Sequence, residues 1–201
     1  MRRSIIVIAT TIATTITLRT STHKAMTEHN DLRYPIGRFN ALEAATAAAR
    51  AANLEALCVA PEKLRAAVSG LGDAQLDTPY RDGGWTVRQV VHHLADSHAN
   101  AYIRVKLALT EDWPTVKTYD EAEWAKLADS REPIEGSLAI FGALHERWMA
   151  LLKPLQDEDF QKGFVHPVMG RQTMEASLGL YAWHARHHIA HITSLRARKG
   201  W

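Results

Sequence analysis

The stretch that most limits how this chain can fold runs from about Met174 to Lys199. It has no proline and a single early glycine, Gly179. Apolar residues recur at Leu178, Tyr181, Ala182, Ala185, Ile189, Ile192 and Leu195, which is the spacing of one face of an α-helix. The same stretch holds His184, His187, His188 and His191, four of the chain's eleven histidines. Residues four apart on a helix share a face, so His184 pairs with His188 and His187 with His191. Either pair can set two imidazole nitrogens on one divalent metal. Spacing alone does not choose between the pairs, and a histidine-rich helix without metal fits the same pattern.

The rest of the chain reads as helical too. A first alanine-rich helix is expected from Ala41 to Val68, broken or kinked near Ala60, because Pro61 lacks a backbone donor and its ring crowds the preceding turn. Gly70 and Gly72 end it. A loop follows through Asp77-Thr78-Pro79-Tyr80-Arg81-Asp82-Gly83-Gly84. Thr86 with Gln89 three residues on forms a capping box, so a second helix should start there and reach about Leu109. It carries His92, His93 and His98 beside an apolar face of Val87, Val90, Val91, Leu94, Ala101 and Val105. A short helical piece is expected over Asp120–Ala128. A third long helix should start at Pro133 or Ser137 and run to Leu152, with Leu138, Phe141, Leu144, His145 and Trp148 facing inward. Phe160–Arg171 reads as a loop, and Thr173 and Gly200 cap the two ends of the last helix. Four long helices with moderate connections predict an all-α, four-helix bundle, a fold that builds metal sites from side chains on facing helices.

Composition narrows the function classes. At 201 residues the chain suits one domain with a substantial core. Its net charge of +2 comes from nearly balanced acids and bases, which argues against a nucleic-acid surface. The single cysteine, Cys58, cannot form an intrachain disulfide and reads as a buried, inert thiol in a reducing compartment. Residues 1–25 differ from the rest: Arg2-Arg3 precede an apolar, threonine-rich run. The segment is signal-like, or an over-extended start ahead of Met26, and is set outside the fold. The run is too short and polar for a membrane span. The bundle domain is expected over residues 31–201.

His93 sits beside the apolar seam of its helix, with Ser97 and Ala101 leaving room for a neighbouring helix. Two sequence blocks then carry a resemblance. Gly84-Trp85-Thr86-Val87-Arg88-Gln89-Val90-Val91-His92-His93-Leu94-Ala95-Asp96-Ser97-His98 and Tyr181-Ala182-Trp183-His184-Ala185-Arg186-His187-His188-Ile189-Ala190-His191-Ile192 closely resemble the DinB/YfiT superfamily. Within it, the chain is similar to the YfiT-type proteins named as metal-dependent hydrolases and to their BstA-like bacillithiol S-transferase relatives. The resemblance extends from Tyr34-Pro35-Ile36-Gly37 to Gly200-Trp201. It implies an up-down-down-up four-helix bundle, a homodimer in the cytoplasm, and a divalent metal, zinc first and nickel as the alternative. It also implies the ligand set His93, His184 and His188. Asp96, His187 and His191 are then candidates to support the ligand rings from behind.

A metal held by three neutral imidazoles keeps its charge and open positions, and can lower the pKa of a bound water to about 7. The expected activity is hydrolysis of a small-molecule substrate, with neither nucleic acid nor membrane as partner. Metal-activated transfer of a low-molecular-weight thiol, or a non-catalytic metal-stabilised binding module, are the rival readings. No residue stands out as the general base.

Overall fold

The computed structural model describes residues 31–201; the expected N-terminal extension, residues 1–25, lies outside the described residues. In chain order the elements are α1 (Ala41–Ala44), α2 (Ala47–Val68), α3 (Asp73–Leu76), α4 (Val87–Thr110), α5 (Glu121–Trp124), a 3-10 turn (Ala128–Arg131), α6 (Glu135–Leu152), α7 (Asp157–Gln161), β1 (Gly163–His166), β2 (Gly170–Thr173) and α8 (Met174–Lys199). The long helices α2, α4, α6 and α8 form a four-helix bundle in which α2 packs on α8 and α6, and α4 packs on α6 and α8.

Individual contacts give the directions. Leu57 meets His145 and Arg65 meets the carbonyl of Leu138, so α2 and α6 are antiparallel. His92 meets Ser137 and His98 meets His145, so α4 and α6 are parallel. His93 lies by His188 and His98 by His184, so α4 and α8 are antiparallel. Arg50 meets Glu175 and Arg196 meets the carbonyl of Ala67, so α2 and α8 are parallel. The bundle is therefore up-down-down-up. A parallel neighbour cannot be reached by a tight turn, and the chain between α4 and α6 is accordingly a long crossover carrying α5 and the 3-10 turn.

Local signals explain most helix ends. The Thr86 side chain accepts from the Gln89 N–H at 3.1 Å, and the Gln89 side chain accepts from the Thr86 N–H at 3.0 Å. Thr173 caps α8, and Gly200 closes it with a φ of 70°. Two expectations fail. Of the break or kink expected near Ala60, no break occurs: α2 runs through Pro61, and the chain breaks earlier, at Thr46, which caps α2. The missing N–H of Pro61 would have bonded the carbonyl of Leu57, four residues back. That carbonyl instead accepts from the His145 ring at 2.7 Å, which offsets the loss. The second failure is the loop expected over Phe160–Arg171, which holds the end of α7 and most of a β-hairpin pairing Gly163 with Thr173 and His166 with Gly170. The strands are four residues each, too short to show alternation. Cys58 also departs from expectation: it is exposed, because its neighbour Leu57 takes the buried face of α2.

The core is split. One apolar cluster gathers Ala60, Leu64, Val90, Leu94, Leu138, Phe141, Ala185 and Ile189 with their neighbours. A second gathers Leu57, Ala101, Val105, Trp148, Phe160, Leu178, Tyr181 and Ala182. The changeover falls at a histidine on three of the long helices, His98 on α4, His145 on α6 and His184 on α8, and between Leu57 and Ala60 on α2.

Candidate metal centre

The N-terminus of α4 is held firmly. Arg88, almost fully buried, donates to Asp77 at 2.7 Å, to Asp73 at 2.8 Å and to the carbonyl of Glu132 at 3.2 Å. The amide of Gln89 donates to the carbonyl of Ala125 at 2.9 Å. His92 and His93 follow on adjacent faces and part company. His92 bonds Ser137 Oγ at 2.7 Å and the carbonyl of Glu132 at 3.0 Å, so it ties α4 to the start of α6. His93 turns towards α8.

There His93, His184 and His188 come together. Each offers a ring nitrogen, and the three atoms lie within 4.8 Å of one another. The Nε2 atoms of His93 and His184 are 3.2 Å apart. Two imidazoles on one tetrahedral zinc, at about 2.0–2.1 Å each, would have their nitrogens about 3.3 Å apart. The buried Nδ1 of His188 has no hydrogen-bond partner among the described residues. Burial pushes His93 down to about 4, and pushes His184 and His188 well below the ordinary histidine value, with the neighbouring imidazoles adding to the shift of the last two. All three rings are thus neutral near pH 7, the form a cation requires. Distance, orientation and charge state fit a divalent metal, and an all-imidazole set suits zinc and nickel alike. Trp85 covers the group, its ring 4.7 Å from His93 and 6.3 Å from His188.

The alternative pair lies beside the cluster. His187 and His191 are buried and pack edge-on against His188, with ring centroids 5.2 and 5.3 Å away, while His187 stacks on Trp183 at 4.3 Å and His191 on Tyr80 at 3.9 Å. His191 Nε2 donates to the carbonyl of Arg33 at 3.2 Å. Asp96 is half-buried, and burial raises its pKa with the Asp129 charge adding to the shift. Among the described residues its carboxylate makes no hydrogen bond to a ring of the three-histidine group.

His184 also lines a cavity of about 750 Å³, bounded by α4, α8, the hairpin and the crossover. Its walls include Ser97, Arg104, Tyr119, Phe164, Leu180 and Tyr181. Arg104 is buried and donates to the carbonyl of Lys117 at 2.9 Å. No carboxylate lies within ion-pair distance of it among the described residues. Burial raises Tyr181 and pushes Tyr119 up to about 12, so both phenols stay protonated as donors. Sequence reasoning missed this wall. Ser97 lies one turn beyond His93 and Arg104 a further two turns on, so helical phase was the available signal, but the hairpin that closes the cavity was not legible.

The fold and site together define a class: helical bundles with a three-histidine cluster opening on a ligand-sized cavity. The chain belongs to the DinB superfamily, whose sequence pattern matches residues 56–192. A Bacillus cereus protein named "Putative metal-dependent hydrolase" is 53% identical over 172 residues, covering 86% of this chain and 99% of that protein. A Bacillus anthracis protein of the same name matches equally well over the same coverage. YfiT from Bacillus subtilis, described as "a probable metal-dependent hydrolase with an unusual four-helix bundle topology", superposes with a TM-score of 0.81 at 53% identity, over 85% of this chain and 98% of YfiT. Among the described residues, no helix is long and apolar enough to cross a membrane.

Proposed function

We propose that this chain is a metal-dependent hydrolase of small molecules that carry an anionic group. The observation that carries the reading is the position of His184, which belongs both to the three-histidine cluster and to the wall of the cavity. His93, His184 and His188 would hold the ion, zinc first and nickel as the alternative. When bound, the ion would supply Lewis acidity, polarising a carbonyl and lowering the pKa of water. Arg104 supplies a buried positive charge to an anionic substrate group, at a depth where screening by salt is weak. The hydroxyls of Ser97 and Tyr181 donate to the substrate, and Phe164 and Leu180 exclude water around its apolar part.

A second reading, transfer of a low-molecular-weight thiol to an electrophile, is supported by the make-up of the cluster. It contains three imidazoles and no carboxylate. A thiol can be held as its thiolate without a protein general base, whereas hydrolysis usually draws on one. The homodimer and the cytoplasmic location implied by the resemblance remain proposals; light scattering on the purified protein reads the first.

Elemental analysis of the wild type against His93→Ala and His188→Ala tests the ligand set, and full metal content in both variants would sink it. Turnover is then compared on small esters and amides with and without a carboxylate, and on an electrophile with several thiols. Arg104→Met should raise KM for the anionic substrates by about 10–100-fold, matching the loss of about 1.5–3 kcal/mol from one charged hydrogen bond. Thiol transfer without hydrolysis would favour the second reading. Metal content with no turnover on either panel would favour a binding module.

A further inference from the structure

The level at which the two apolar clusters meet is crossed by a single line of hydrogen bonds touching all four long helices. It starts at the Leu57 carbonyl on α2, which Pro61 leaves without its helical donor. His145 Nδ1 on α6 lies 2.7 Å from that oxygen. His145 Nε2 lies 3.0 Å from His98 Nδ1 on α4. His98 Nε2 lies 3.3 Å from His184 Nδ1 on α8. His184 Nε2 faces His93 Nε2.

The line has only one direction. A carbonyl oxygen only accepts, so His145 must carry its proton on Nδ1. A neutral imidazole has one N–H, so His145 Nε2 accepts and His98 Nδ1 must donate to it. By the same step His98 Nε2 accepts, and His184 Nδ1 donates. His98 is fully buried and His145 2% exposed, so a charged ring has no water to stabilise it. Reversing the line would set a ring lone pair against the Leu57 oxygen.

We propose that His145 and His98 are positioning residues that fix the proton of His184 on Nδ1 and so present its Nε2 lone pair to the metal. The purpose of the relay rests on the metal reading above; the relay itself does not. A metal-bound histidine is usually oriented by a carboxylate, a backbone carbonyl or water. Here the carbonyl acts at a distance through two neutral rings. No negative charge is brought near the ion, so its Lewis acidity is not diluted. Pro61 acquires a role as well: an ordinary residue there would offer its own N–H to the Leu57 carbonyl and compete with His145.

The test begins with the full chain, labelled with ¹⁵N-histidine, freed of metal by chelator and held at neutral pH. Two-bond ¹H–¹⁵N correlation spectra should show His145, His98 and His184 each protonated on Nδ1. His184 protonated on Nε2 would overturn the relay. Zinc affinity is then measured by competition with a chromophoric chelator. His98→Phe should weaken it about 10–100-fold, the usual effect of losing a partner behind a ligand, while His98→Gln, which can both donate and accept, should lie within about threefold of wild type. His98→Phe binding zinc as tightly as wild type would also overturn the relay. If that variant does not fold, the wild-type spectrum decides. The two readings fail separately: Nδ1–H rings in a protein that takes up no zinc would support the relay and sink the metal site. Zinc uptake with His184 protonated on Nε2 in the metal-free state would do the reverse.

Discussion

Acid should unfold the metal-free protein well above the pH at which carboxylates titrate. His93 and His145 are 8% and 2% exposed, and burial pushes each down to about 4. In the unfolded chain the same rings take up protons near pH 6.5. Below that pH the unfolded state therefore binds more protons than the folded one, and stability drops as pH falls, levelling off only below about 4. At pH 5 each ring costs about 2 kcal/mol relative to pH 7.5. The pair costs about 4 kcal/mol, a large share of the roughly 5–15 kcal/mol that holds a typical domain together. His98, His184 and His188, also pushed down by burial, act in the same direction. Melts followed by far-UV circular dichroism in chelator, at pH 7.5 and 5, should show Tm falling by at least roughly 8–16 °C. His145→Phe should start from a lower Tm but lose about 2 kcal/mol less between the two pH values. A wild-type Tm that moves by only a degree or two, or an acid loss unchanged by His145→Phe, would refute the claim that these rings are held neutral by burial.

Other perturbations follow from the same geometry. A Cβ on Gly163 would sit 2.1 Å from the carbonyl oxygen of Gln172, so Gly163→Ala should cost about 3 kcal/mol, lower Tm by roughly 6–12 °C and disturb the cavity wall. Glu175 is buried and accepts from Arg50 at 2.6 Å and 3.0 Å. Glu175→Ala leaves that guanidinium only the exposed Asp157 and should cost about 3 kcal/mol in urea unfolding, with Glu175→Gln costing less. Cys58 should react fully with a thiol-specific disulfide reagent in the native state, with no change in far-UV signal.

Much of the bundle could be read from spacing because its rules are local. The capping box at Thr86, the cap at Thr173 and the terminal Gly200 each depend on neighbours within a turn, and all three stand where they were expected. Pro61 misled for the opposite reason. The hydrogen bond that keeps α2 going through it comes from His145, on a helix far along the chain. The hairpin was invisible because its strands are short and half-exposed, and its register depends on Gly163 fitting against Gln172. For the site, periodicity could pair His184 with His188 but could not say which face looks towards α4. The roles of Arg104, Trp85 and the His98–His145 line depend on which helices are neighbours, and spacing within one helix says nothing about that.

The parallel pairing of α2 with α8 joins the first long helix to the last, with Arg50 meeting Glu175 and Ala67 meeting Arg196 across most of the described chain. Contacts so distant in sequence cannot form until α8 has been made. A nascent chain that has released α2, α4 and α6 still lacks the segment that closes the bundle, and with it two of the three clustered imidazoles. Closure of the bundle and cation uptake should therefore begin together, once α8 is free to pack against α2.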